Sequence, residues 1–104
     1  MERVACFVIL LILSAATVQA QQIGDPRKGA GLARDTCSRC HTIARGEPLS
    51  PNLRAPTFVQ LASAPGMTGA ALMVAVTTPH AGMPMFMLSR DEREDIIAYI
   101  LSLK

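Results

Sequence analysis

Tryptophan is absent, and aromatic residues make up only 4% of a chain that is 50% hydrophobic. A core so poor in rings is filled by Ala, Val, Leu, Ile and Met, which leaves a shortage of bulk for something else to supply. Charge of one sign is lacking as well: the formal net charge is +2, too mild for a nucleic-acid or membrane-surface protein. No internal repeat is present. At 104 residues the chain allows one domain.

A long apolar run is also missing. Val4 to Leu13 falls short of the roughly 20 residues that cross a bilayer and gives way to Ser14, Ala15, Ala16 and Thr17. With Arg3 ahead and Val18-Gln19-Ala20 behind, residues 1–20 have the layout of a cleavable secretory signal, and a retained anchor is the alternative. Cys6 lies early in the apolar run and leaves with the signal. Cleavage removes Glu2 and Arg3 together, so the charge stays at +2 on a mature chain of 84 residues, 21–104. At that size a side-chain core is marginal without a cofactor or crosslink.

What is present reads as helical. Asp25-Pro26 is an N-cap followed by proline at the first helical position, and predicts a helix from Pro26 to Thr36. Gly29 and Gly31 within it imply close packing against another element. Gly46, Pro48, Pro51 and Pro56 confine Thr42 to Pro56 to an irregular loop. Short helices are predicted at Thr57 to Ala64 and at Gly69 to Thr77, the latter capped by Thr68. Ser89 and Glu92 form a capping box for a final helix whose Ile96, Ile97, Ile100 and Leu101 make an apolar face. The fold class is therefore all-α.

The chemistry concentrates in Cys37-Ser38-Arg39-Cys40-His41. Two thiols separated by two residues and followed by histidine match the attachment signature of c-type haem. Thiols at that spacing reach two vinyl groups on one porphyrin edge, while the adjacent imidazole is delivered to the iron. A redox disulfide or half a zinc site uses the same spacer. The first wants a βαβ context, and the second wants four ligands where the mature chain offers Cys37, Cys40, His41 and His80.

A low-spin electron carrier needs a second axial ligand opposite His41, Met or His. The segment His80-Ala81-Gly82-Met83-Pro84-Met85-Phe86-Met87 offers both. Met83 is favoured because Gly82 and Pro84 hold an extended loop around it; Met85 is second and Met87 third, and His80, which reads first as an exposed loop histidine, is an alternative ligand. Met73 is assigned to the core and Met67, beside Pro65-Gly66, to a turn.

On these residues the mature chain resembles the small monohaem class I cytochromes c of bacteria. The likeness rests on the helix leading into Cys-x-x-Cys-His, the Pro51-Asn52-Leu53 segment, the Met83-Pro84 loop and the ending Ala98-Tyr99-Ile100-Leu101-Ser102-Leu103. It implies three to four short helices wrapped around one covalently bound haem c, held at Cys37 and Cys40 with iron ligated by His41 and Met83. It also implies that the Pro51 carbonyl accepts a hydrogen bond from His41. Gly29 would be the glycine where the first and last helices cross, with Tyr99 the aromatic packed there.

Leu53, Phe58, Leu61, Leu72, Val76 and Ile96 are candidate walls of the haem pocket. The expected function is a periplasmic, monomeric carrier of single electrons between redox protein donor and acceptor, not an enzyme. Contact with a membrane would come only through redox complexes or an uncleaved signal. Arg39, Arg45 and Arg54 are candidates for the rim of the docking surface. Two other classes fit the same residues: a dedicated haem subunit of an exported dehydrogenase or oxidase, and a gas- or peroxide-reactive haem protein without the Met ligand.

Overall fold

The computed structural model describes residues 23–104. The signal at residues 1–20 and Cys6 lie outside that range. Four α-helices follow in order, α1 (Pro26–Thr36), α2 (Phe58–Ser63), α3 (Gly69–Thr77) and α4 (Arg90–Leu101). Among the described residues no strand forms.

Each helix begins where a local polar side chain satisfies its free amides. Asp25 accepts from the amides of Arg27 (2.9 Å) and Lys28 (3.4 Å), with Pro26 leading α1. Thr57 and Gln60 exchange hydrogen bonds in a capping box at the head of α2, a device not foreseen from sequence. Thr68 accepts from Ala71 at the head of α3. Ser89 and Glu92 close the expected capping box on α4, whose first turn carries Asp91 and Glu92 against the positive end of the helix dipole. The Ala64–Met67 turn, closed by the Met67 amide on the Ala64 carbonyl, separates α2 from α3.

The principal helix contact is the crossing of α1 and α4, and α3 and α2 pack on α4. Gly29 is buried there, and a Cβ at its position would collide with the Asp95 carbonyl and stand 2.9 Å from Tyr99 Cβ. Only hydrogen fits between the two backbones. Gly31 differs from expectation: a Cβ there would meet nothing within 4 Å, so packing does not require it. The Asp25 amide adds a 2.7 Å bond to Asp95 Oδ1 across the same crossing.

Ala33, Phe58, Ala62, Leu72, Ile96, Ile97, Ile100 and Leu103 form the buried core. Met73 packs against its edge, as expected. Tyr99 sends its hydroxyl to the Ile43 carbonyl (2.8 Å), which fastens the loop after Cys-x-x-Cys-His to α4.

Candidate functional site

The end of α1 turns the attachment motif inward. The amides of Cys37 and Ser38 both reach the Ala33 carbonyl, and those of Cys40 and His41 both reach the Cys37 carbonyl (3.1 and 2.9 Å), so residues 37–41 coil as one compact turn. Both cysteines are partly buried, and they are not joined in a disulfide. Burial, and then the neighbouring Cys40, push the Cys37 thiol above its ordinary value.

The turn opens on an apolar cavity of about 550 Å³. That is within the range of cofactor sites, roughly 300–1,000 Å³. Cys37, Cys40 and His41 line one part of it, and Phe58, Leu61, Leu72, Val76, Ile96 and Ile100 supply its hydrocarbon wall. His80 to Pro84 and Phe86 complete the lining from the loop between α3 and α4. Five of the six expected wall residues are therefore in place. The sixth, Leu53, is not: its side chain is 78% exposed and does not border the cavity.

His41 is oriented by its own hydrogen bond. Nδ1 lies 2.6 Å from the Pro56 carbonyl oxygen, and since a carbonyl only accepts, Nδ1 carries the proton and donates. The Nε2 lone pair is thereby left free, the tautomer a metal-binding imidazole needs. The partner is Pro56 and not Pro51, which is exposed and outside the cavity lining. The cause is non-local. The Phe58 amide bonds the Thr42 carbonyl at 2.9 Å, drawing the head of α2, and Pro56 with it, against the residue after His41. The Thr42 hydroxyl and amide meanwhile hold Leu49 and Ser50, and the chain swings outward through Pro51 to Leu53. Phe58 also braces the imidazole, its ring 5.6 Å from that of His41 and tilted by 52°.

Met83 is half-buried and lines the cavity. Met85 is 52% exposed and Met87 fully exposed, and neither borders it. Gly82, at φ +79°, makes the tight turn that closes with the Met83 amide on the His80 carbonyl (3.3 Å). Arg93 donates to the Leu88 carbonyl at 2.8 Å and ties the far end of this loop to α4. Arg54 lines the cavity, whereas Arg39 and Arg45 do not; Arg45 instead reaches the Lys104 carbonyl.

The donor set suits a porphyrin: two thiols, an imidazole with a free lone pair and a thioether around a largely hydrocarbon hollow. Zinc finds no such set, since among the described residues no three of His, Cys, Asp and Glu gather closely enough for a metal ion. No helix among them is long and apolar enough to cross a membrane.

Comparison with known proteins agrees with this chemistry. Residues 24–100 match the family described as cytochrome c oxidase, cbb3-type, subunit III. The chain is 36% identical to cytochrome c-552 of Bradyrhizobium diazoefficiens over 97 residues, 92% of each protein. No solved structure matches.

Proposed function

Because the chain belongs to the family described as cytochrome c oxidase, cbb3-type, subunit III, and is a small monohaem cytochrome c with covalently bound haem c and an electron-transfer role, we propose that it is a periplasmic carrier of single electrons on a His/Met-ligated haem. Residues 1–20 are its export signal and residues 21–104 its haem domain. Cys37 and Cys40 would hold the haem by thioether bonds, with His41 and Met83 as the residues offered to its iron. The observation that carries this reading is the pairing of a His41 Nε2 lone pair, fixed by Pro56, with a half-buried Met83 on the lining of one apolar cavity.

The bound group supplies an iron centre that accepts and releases one electron. The protein's part is to hold that centre still and dry. Pro56 draws on the Nδ1 proton of His41 and makes the ring more electron-donating. Phe58, Leu61, Leu72, Val76 and Ile96 exclude water and favour the less charged iron. The Met83 thioether, as a ligand, would raise the reduction potential. With His41 and Met83 both given to the iron, no open position would remain for a substrate, as a carrier requires. Donor and acceptor proteins dock transiently near the cavity mouth, and the carrier itself is monomeric.

A second reading, a haem subunit held permanently by an oxidase, draws on the family's description and on Met85, Phe86 and Met87, exposed beside the Met83 loop. Sedimentation at micromolar concentration separates the two: the carrier stays monomeric, whereas the subunit self-associates.

The test of the main reading is an optical spectrum of protein exported in a host with haem-attachment machinery. Expected are haem that resists acid-acetone extraction and a weak far-red ferric band that disappears in Met83→Ala. Extractable haem would overturn the thioether assignment, and a missing band the Met83 assignment.

A further inference from the structure

We propose that His80 is a reserve axial ligand, held ready to take the iron when the Met83 thioether leaves it. The proposal rests on the assignment of Met83 above and concerns a residue to which that assignment gives no role.

Both histidines of the chain line the cavity, and both place Nδ1 on a backbone carbonyl. His80 Nδ1 lies 3.0 Å from the Thr78 carbonyl oxygen, just as His41 Nδ1 lies 2.6 Å from that of Pro56. A carbonyl cannot donate, so His80 also carries its proton on Nδ1 and keeps the Nε2 lone pair free. In this His80 resembles His41: each keeps free the nitrogen through which an imidazole binds a metal.

His80 and Met83 are also the two ends of a single turn. The Met83 amide bonds the His80 carbonyl, with Gly82 in the left-handed region between them. In a four-residue turn the end Cα atoms lie within about 7 Å, so a small pivot exchanges one side chain for the other. His80 is exposed and lies beyond the end of α3 at Thr77, so bringing it inward breaks no buried contact of its own, while Met83 gives up its half-buried place.

Ligand chemistry gives the exchange a direction. Soft thioether suits the reduced iron, and imidazole suits the harder ferric ion better. The reserve ligand is therefore called on in the oxidised protein. It keeps both axial positions filled, so that an oxidised carrier that loses its thioether presents no open iron to peroxide.

The experiment compares the ferric holoproteins of wild type, Met83→Ala, His80→Ala and the double variant by optical and electron paramagnetic resonance spectroscopy. Met83→Ala is expected to lose the far-red band yet stay low-spin with two nitrogen ligands, at a lower midpoint potential. The double variant is expected to turn high-spin, and His80→Ala alone to keep the far-red band. A high-spin Met83→Ala, or a double variant that stays low-spin on another ligand, overturns the reserve role. A wild type without the far-red band overturns the Met83 assignment itself, so the two failures are told apart.

Discussion

At the residue scale the site is a short column of rings with a polar fastening at each end. Phe58 stands between His41 (5.6 Å) and Tyr99 (6.2 Å). Pro56 anchors the imidazole, and the Tyr99 hydroxyl anchors the Ile43 carbonyl. Tyr99→Phe keeps the ring and removes that hydroxyl. It is expected to lower stability by about 0.5–1.5 kcal/mol, read from guanidinium unfolding, without altering the spectrum. Arg93 does a different job. Its bond to the Leu88 carbonyl restrains the Met83 loop, while its Nε is buried without a partner. Arg93→Met preserves the aliphatic stem and relieves that unpaired donor, so global stability should change little. The loop should loosen, and the far-red band is expected to vanish on warming at a lower temperature than in wild type. Coincident loss of the band and of helical circular dichroism, at an unchanged temperature, would refute this role.

At the scale of elements, the two glycines of α1 separate packing from propensity. Gly29→Ala drives a methyl into the Asp95 carbonyl and must push α1 off α4, an overpacking worth about 1–3 kcal/mol or more. Gly31→Ala meets nothing and should stabilise the helix by about 0.5–1 kcal/mol. Opposite shifts in Tm for two neighbouring Gly→Ala changes are the expected result, and equal shifts would contradict the crossing geometry. The same pair marks what could be read beforehand. Asp25-Pro26, Thr68 and Ser89 with Glu92 announced their helices because a cap acts within three residues of itself. Met83 stood out because Gly82 and Pro84 shape its loop locally. The path of residues 42–56 was not legible, since bonds from Thr42 to Leu49 and Ser50, and from Phe58 back to Thr42, decide it. The resemblance implies the Pro51 carbonyl as the partner of His41, and those bonds put Pro56 there instead. Leu53 was misread for the same reason: a lone leucine in an irregular segment carries no period from which to infer its face.

At the scale of the whole molecule, the shortage of aromatic bulk and the cavity are one fact. Phe58, Leu72, Ile96 and Ile100 are at once buried core and cavity wall, so the hydrocarbon that should fill the centre of the domain instead surrounds a hollow of about 550 Å³. Apolar walls facing an unfilled hollow forfeit the contacts that partner atoms would give them, and a small domain has only about 5–15 kcal/mol of net stability to begin with. The haem is therefore expected to be structural as well as functional. Protein with Cys37→Ser and Cys40→Ser, or made where haem is not attached, should lack the cooperative thermal transition of the holoprotein. It should show weak helical circular dichroism and be rapidly proteolysed across the loop of residues 42–56. A haem-free chain that still melts cooperatively, with its helices intact, would mean that the crossing of α1 and α4 around Gly29 suffices to hold the fold. The cavity would then be a binding site carved into a stable protein, and its walls would be free to vary without loss of folding.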